Sequence, residues 1–269
     1  MLGRDLVAAA RYTNHEVTAV DRGALDVTDA TAVASRFADE RPAAVVNCAA
    51  YTDVDGAEDE RQSVALVNAD GAHNVAQAAA AVGAAVVYPS TDYVFDGTKT
   101  MPYVESDPTA PQSVYGASKL AGERRTAAVN PRHYVVRTAW LFGAHGRNFV
   151  ATMLGLAETE SQVLVVRDQI GAPTYTGHLA TGLVRLLDTD AYGLHHMTAG
   201  GQCSWYDFAV EIFRRAEIDC TVLSTTSEEL ARPAPRPAYS VLASEWPYAV
   251  PLPEWRSGLD SYLRERATG

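Results

Sequence analysis

Cysteine is scarce in this 269-residue chain: Cys48, Cys203 and Cys220 are odd in number and share no paired spacing. That excludes a disulfide framework and argues for a reducing compartment. Basic charge is also short, with 22 Lys and Arg against 33 Asp and Glu for a net charge of −11. No basic run offsets the deficit, so nucleic acid is not an expected partner. One nucleotide ligand is compatible with this balance, because helix N-termini and a few arginines hold a pyrophosphate. No basic-then-apolar signal pattern opens the chain. The stretch from Gly71 to Thr91 lacks Asp, Glu, Lys and Arg, yet it carries His73, Asn74, Gln77, Pro89 and Ser90. It therefore fails as a membrane span, which needs about 20 mostly apolar residues. The expectation is a soluble, cytoplasmic protein with no membrane partner. Metal-site spacing is missing too: His195-His196 with Cys203 matches no standard zinc pattern. Neighbours on a strand point to opposite faces, so no metal is expected there.

What is present is ordinary globular composition, 47% hydrophobic and 20% charged. Short apolar runs at Val17–Val20, Ala43–Ala50, Ala84–Tyr88 and His133–Leu141 alternate with Ala-rich helical stretches. Leu2, Leu6, Val7 and Ala10 share one helical face, as do Val64, Val67, Val75 and Ala79 across an interruption at Gly71. Continuous apolar strands between helices imply a doubly wound α/β fold of Rossmann type, its parallel sheet covered on both faces. Ligands of such folds sit at the carboxyl ends of the strands. Beyond residue 150 the pattern predicts a strand at Gln162–Val166, a helix at Thr176–Leu187 and a late sheet strand at Leu194–Thr198. The run Arg232–Pro237 is too proline-rich for a helix interior or central strand. The reading is a dinucleotide-binding domain of 1–150 plus about 175–200. A smaller C-terminal substrate-binding domain covers about 151–174 and 201–269.

Dinucleotide-binding folds open on an apolar strand and a Gly-rich turn. Here Leu2 already reads as helix, so that strand and most of the turn are missing as written. The expectation is weakened cofactor binding or folding. Gly3 is followed 18 positions later by Asp21, near the roughly 20-residue spacing from glycine turn to ribose-binding acid. Alone, that pair reads more readily as an ordinary turn.

The strongest local pattern is Tyr115-Gly-Ala-Ser-Lys119, preceded by Ser90-Thr91-Asp92-Tyr93 at a strand end. Residues four apart share a helical face, so Tyr115 and Lys119 point at one ligand. A neighbouring ammonium favours the phenolate over the usual phenol pKa of about 10, making Tyr115 a usable acid or base. Thr91 is placed to hydrogen-bond a carbonyl oxygen.

These three residues resemble the Ser/Thr-Tyr-Lys set of extended short-chain dehydrogenase/reductases. More narrowly, the chain resembles the dTDP-4-dehydrorhamnose reductase family. The matching segments are Leu25-Asp-Val-Thr-Asp29, Asn47-Cys-Ala-Ala-Tyr-Thr-Asp-Val-Asp55, Ser90-Thr-Asp-Tyr-Val-Phe-Asp-Gly97 and Val114-Tyr-Gly-Ala-Ser-Lys-Leu-Ala-Gly-Glu123. Arg137-Thr-Ala-Trp-Leu-Phe-Gly143, Arg147-Asn-Phe-Val150 and Asp168-Gln-Ile-Gly-Ala-Pro-Thr174 continue the match.

The resemblance implies that a nicotinamide cofactor delivers hydride to the 4-keto carbon of a dTDP-linked 6-deoxy sugar. It makes Tyr115 the proton donor and Thr91 the group that orients the carbonyl. Lys119 then holds the nicotinamide ribose and lowers the Tyr115 pKa. It places Asp26 and Val27 at the adenine, Ala49, Ala50 and Tyr51 along the cofactor, and Thr52, Val54, Asp92, Tyr93 and Trp140 on the sugar nucleotide. Gly3, Asp21 and Arg22 join the cofactor set. Asp21 suits the free ribose of NADH and Arg22 the 2′-phosphate of NADPH; the resemblance favours NADPH, with NADH tolerated. Asn68 is expected to brace a strand end. Arg232 and Arg236 read equally as pyrophosphate ligands or as solvated loop. A homodimer is expected from the family alone. The alternatives are a sugar-nucleotide 4,6-dehydratase, disfavoured because Tyr93 stands where a glutamate is needed, and a sister deoxysugar 4-ketoreductase. The third is a non-catalytic subunit like the methionine adenosyltransferase β-subunit.

Overall fold

The computed structural model describes residues 1–268. Leu2–Tyr12 forms α1 and Ala30–Glu40 forms α2, the latter capped by Asp29, whose carboxylate accepts the Ala32 N–H at 2.9 Å. β1 (Ala44–Val46) leads into α3 (Arg61–Ala65), a π-helical turn over Leu66–Gly71, and α4 (Ala72–Ala81). β2 (Ala85–Thr91), α5 (Val114–Val129) and β3 (His133–Thr138) follow. Next come β4 (Leu141–Phe142), α6 (Phe149–Leu156), β5 (Gln162–Val166), β6 (Ile170–Gly171) and β7 (Thr174–Tyr175). After α7 (Thr176–Leu187) and β8 (Gly193–His196), β9 (Cys203–Ser204) and α8 (Trp205–Ala216) precede β10 (Thr221–Thr225). The last helices are α9 (Ser227–Leu230) and α10 (Trp255–Thr268).

β1, β2, β3 and β8 form a parallel sheet in that order, with Val86 opposite His133 and Tyr134 opposite Gly193. Alternate residues of β2 serve opposite layers. Ala85 and Val87 pack with Leu2 and Leu6 of α1 and Leu179 and Leu183 of α7. Val86 packs with Val33 and Phe37 of α2 and Val75 and Ala79 of α4. Burial on both faces explains why these strands read as continuous apolar runs. A separate core joins α6, β5, α8 and α10 around Phe142, Phe208, Ile212 and Trp255, with β5 and β10 paired in parallel. The Pro-rich run forms neither helix nor strand. Among the described residues no helix is long and apolar enough to cross a membrane.

Three local expectations change. Val17–Val20 is not a strand: among the described residues nothing lies on the far side of β1 to ladder with it, and an unpaired strand has no stability of its own. The strand expected over Ala43–Ala50 shrinks to Ala44–Val46. Gly71 does not break its helix; it lies in the π turn, where the Val27 side chain would sit 2.7 Å from an added Cβ. The glycine marks close packing, not a stop.

Candidate functional site

α5 carries the chemistry-bearing face. Its first turn is fixed by Ser113, whose hydroxyl accepts the Gly116 N–H at 3.1 Å, and by Glu58, which accepts the Val114 N–H at 2.9 Å. Two glycines bring α5 close to its neighbours. A Cβ on Gly116 would sit 2.2 Å from the Tyr93 carbonyl oxygen, and one on Gly122 would sit 2.2 Å from both the Asn68 carbonyl and the Tyr88 hydroxyl. Tyr115, Lys119 and Glu123 then follow one another at single-turn intervals on one face.

Thr91 ends β2 and meets this face. The Thr91 hydroxyl lies beside the Tyr115 phenol and favours its ionised form. Thr91 Oγ1 in turn donates to Asp92 Oδ1 at 3.1 Å and accepts the Tyr93 N–H at 3.2 Å. The Tyr93 ring meets that of Tyr115 edge-on, with centroids 5.7 Å apart. Four of the expected residues, Thr91, Asp92, Tyr93 and Tyr115, therefore form one connected group at a strand's carboxyl end.

Lys119 rests on the β2 side of that face. Its ammonium donates to the Pro89 carbonyl at 2.7 Å and lies 4.0 Å from the centre of the Tyr88 ring. Pro89 explains the capture. β1 ends at Val46, and Asn47 donates the last bond of that ladder to the Val87 carbonyl. In a parallel strand alternate residues bond to the same side, so Pro89 faces the crevice beyond β1. Its missing N–H costs no ladder bond there, and its carbonyl is free for Lys119. Burial pushes the Tyr115 phenol up to about 12, and the Asp92 carboxyl adds to that. Burial also pulls the Lys119 ammonium down to about 7, against the Glu123 carboxylate. The depressed phenol expected from the sequence is thus replaced by a phenol that stays protonated.

Asp92 is 1% exposed, and burial raises its carboxyl to about 6, partly offset by the Ser240 and Thr91 hydroxyls. The unfolded value is about 3.9. A folded value above the unfolded one contributes stability that is complete below about pH 4 and lost as pH rises through about 6. Ionised Asp92 therefore costs about 2–3 kcal/mol above that window. Asp92→Asn is expected to raise the unfolding temperature near pH 8 and leave it unchanged near pH 4. Calorimetry at the two pH values checks this; an equal change at both would contradict it.

Of the residues expected along the cofactor, Val27 and Tyr51 meet the π turn, a helix irregularity often found at functional sites. Fully buried Asn68 accepts the Tyr51 N–H at 2.8 Å and donates to the Tyr51 carbonyl at 3.1 Å and to Ser118 on α5 at 2.9 Å. It braces the segment after β1, as expected. Ala49 is held by Asn47, and Val27 by Asn74 and Gly71. Asp26 binds the Thr28 N–H and hydroxyl, Asp21 the Ala24 N–H, and the Arg22 side chain is 85% exposed near Asp26. Gly3 opens α1 against Cys48, and no side chain caps that helix. Ala50 lies between the Asn47 and Asn68 anchors.

Thr52 and Val54 sit in a loop pinned by Asn68 at Tyr51 and by Arg236 at Asp55. The Arg236 fork grips both Asp55 oxygens at 2.7 and 2.9 Å. Arg232 stands 3.7 Å from the same carboxylate. Trp140 belongs to a different cluster: at φ 50° its indole stacks on Trp205 at 3.5 Å. Gly171 lies so close to that ring that a Cβ there would be 2.3 Å from it. Trp205, Ser118, Tyr88, Glu123 and Arg137 were not singled out from the sequence. Only the one-turn interval after Lys119 pointed to any of them, namely Glu123.

A family model described as the RmlD substrate binding domain matches residues 1–268. A dTDP-4-dehydrorhamnose reductase from Streptomyces griseus is 49% identical, over 96% of this chain and 88% of that protein. Among solved structures, a dTDP-4-dehydrorhamnose reductase from Clostridium acetobutylicum superposes with a TM-score of 0.96 at 45% identity, covering 98% of this chain and 95% of that one. The Bacillus anthracis dTDP-4-dehydrorhamnose reductase in complex with NADP gives 0.96 at 39% identity, with 98% and 95% covered. By that match along residues 1–268 and by the identity to its relatives, the protein belongs to the RmlD substrate binding domain family.

Proposed function

We propose that this chain uses NADPH to reduce the 4-keto group of dTDP-4-dehydro-6-deoxy-L-mannose, giving dTDP-L-rhamnose. The observation that carries the reading is the placing of Tyr115 beside Thr91 and against the Tyr93 ring at the carboxyl end of β2, in a chain similar throughout to dTDP-4-dehydrorhamnose reductases.

The donor set fits the cofactor. The uncapped N-terminus of α1 offers N–H groups to a pyrophosphate, and the exposed Arg22 guanidinium suits a 2′-phosphate. Gly3, Asp21, Asp26, Val27, Ala49, Ala50 and Tyr51 complete that side, and Lys119 holds the nicotinamide ribose. When bound, NADPH supplies a hydride to the carbonyl carbon. Thr91 and Tyr115 hold the carbonyl oxygen, and Tyr115 releases its phenolic proton to the alkoxide that forms. A phenol kept protonated suits reduction, because an alkoxide is the stronger base. Water then reprotonates the phenolate. Thr52, Val54, Asp92, Tyr93 and Trp140 are the sugar-nucleotide side of the reading. We extend it to a cytoplasmic homodimer, which sedimentation tests.

Cofactor choice is checked by comparing kcat/KM for NADPH and NADH on the ketosugar. NADPH is expected to be preferred, with the preference shrinking in Arg22→Ala. An unchanged preference in that variant would remove Arg22 from the site.

A further inference from the structure

Directly behind the catalytic face lies a buried ion pair that the mechanism does not use. Glu123 sits one turn beyond Lys119 on α5. Its Oε1 accepts from Ser90 Oγ at 2.5 Å and Arg137 Nε at 2.9 Å, and its Oε2 accepts from Arg137 Nη2 at 2.8 Å. Glu123, Arg137 and Lys119 are 5%, 3% and 3% exposed. Arg137, on β3, also stands over the Phe95 ring and 3.5 Å from His196 Nε2. Net stability is a weak account of such a pair, since desolvation offsets most of its attraction. Its placement is more informative. Ser90, which it holds, follows Pro89, whose carbonyl holds the Lys119 ammonium, and precedes Thr91, which meets Tyr115. The clamp therefore fixes the end of β2 against the α5 face at the level where those groups meet.

We propose that Glu123 and Arg137 are positioning residues for Lys119, the carboxylate supporting the buried ammonium while the guanidinium neutralises and aims that carboxylate. The proposal rests on the reading above of Tyr115 and Lys119 as the catalytic pair. The groups facing Lys119 are Glu123 from α5, Tyr88 and the Pro89 carbonyl from β2, and Cys48 beyond β1. Arg137 acts through Glu123. Removing the carboxylate leaves two buried cations; removing the guanidinium leaves the carboxylate uncompensated. The two changes must move Lys119 in opposite directions.

The chain has only two lysines, Lys99 and Lys119. Protein labelled with 13C at lysine Cε gives two NMR signals, and Lys99→Arg assigns them. In the full chain the Lys119 signal is expected to titrate at about 7. Glu123→Gln should lower that midpoint by about one pH unit, and Arg137→Met should raise it by about one. The double variant, which keeps the site neutral, should return towards the wild-type midpoint; it also serves if Arg137→Met alone does not fold. Opposite shifts support the proposal. An unmoved midpoint, or shifts of the same sign in both single variants, overturns it, because loosened packing alone has no sign. The titration needs no substrate, so failure of the ketosugar reaction leaves this test standing, and failure here leaves the reductase reading untouched.

Discussion

Tyr115→Phe is expected to lower kcat by about 10²–10⁴ while leaving NADPH affinity nearly unchanged. The substitution keeps the ring that packs edge-on against Tyr93 and removes only the hydroxyl beside Thr91. Neither Thr91 nor Lys119 replaces it as donor. The Thr91 hydroxyl is a far weaker acid than a phenol and orients the carbonyl without ceding its proton, and the Lys119 ammonium is turned to Pro89. Stopped-flow rates with saturating ketosugar, alongside cofactor binding by fluorescence, separate the two effects. A rate within a few-fold of wild type would remove Tyr115 as the acid.

Gly122→Ala carries the largest expected effect outside the reacting groups. The new methyl would lie 2.2 Å from the Asn68 carbonyl and 2.2 Å from the Tyr88 hydroxyl, and those two groups are bonded to each other at 2.8 Å. No flexible side-chain end is available to yield, so α5 must move off the π turn. Overpacking of this kind costs about 1–3 kcal/mol, and each kcal/mol lowers the unfolding temperature of a chain this size by about 2–4 °C. Because α5 carries Tyr115 and Lys119, the displacement also reaches the site, and kcat should fall well beyond what the unfolded fraction explains. Thermal unfolding and kcat measured on the same preparation check both parts. A wild-type unfolding temperature would mean that the α5 contact is softer than its geometry.

The pieces legible in the sequence are those set by local periodicity. Gln162–Val166 and Thr176–Leu187 form the expected strand and helix, because each is a short apolar or amphipathic run with clear ends. The placing of Thr91 at a strand end and of Tyr115 and Lys119 one turn apart on a helix is legible from spacing alone. The Lys119 contact is not: it depends on where β1 stops beside Pro89, which no spacing encodes. Glu123 and Arg137 meet only when α5 folds onto β3, and Trp205 reaches Trp140 only across the second core. Gly71 misled because a glycine that permits close packing and one that ends a helix look alike in one dimension. Arg236 left two readings open in the sequence, since an arginine fork suits a pyrophosphate and an aspartate equally well; in the fold it grips Asp55.

The central claim is hydride delivery to the sugar C4 with a proton from Tyr115. The most direct measurement is product NMR after turnover of dTDP-4-dehydro-6-deoxy-L-mannose with NADPH deuterated on the transferring face of the nicotinamide. The account predicts dTDP-L-rhamnose carrying deuterium at C4. No NADPH oxidation, deuterium elsewhere on the sugar, or a product with the other configuration at C4 would contradict it.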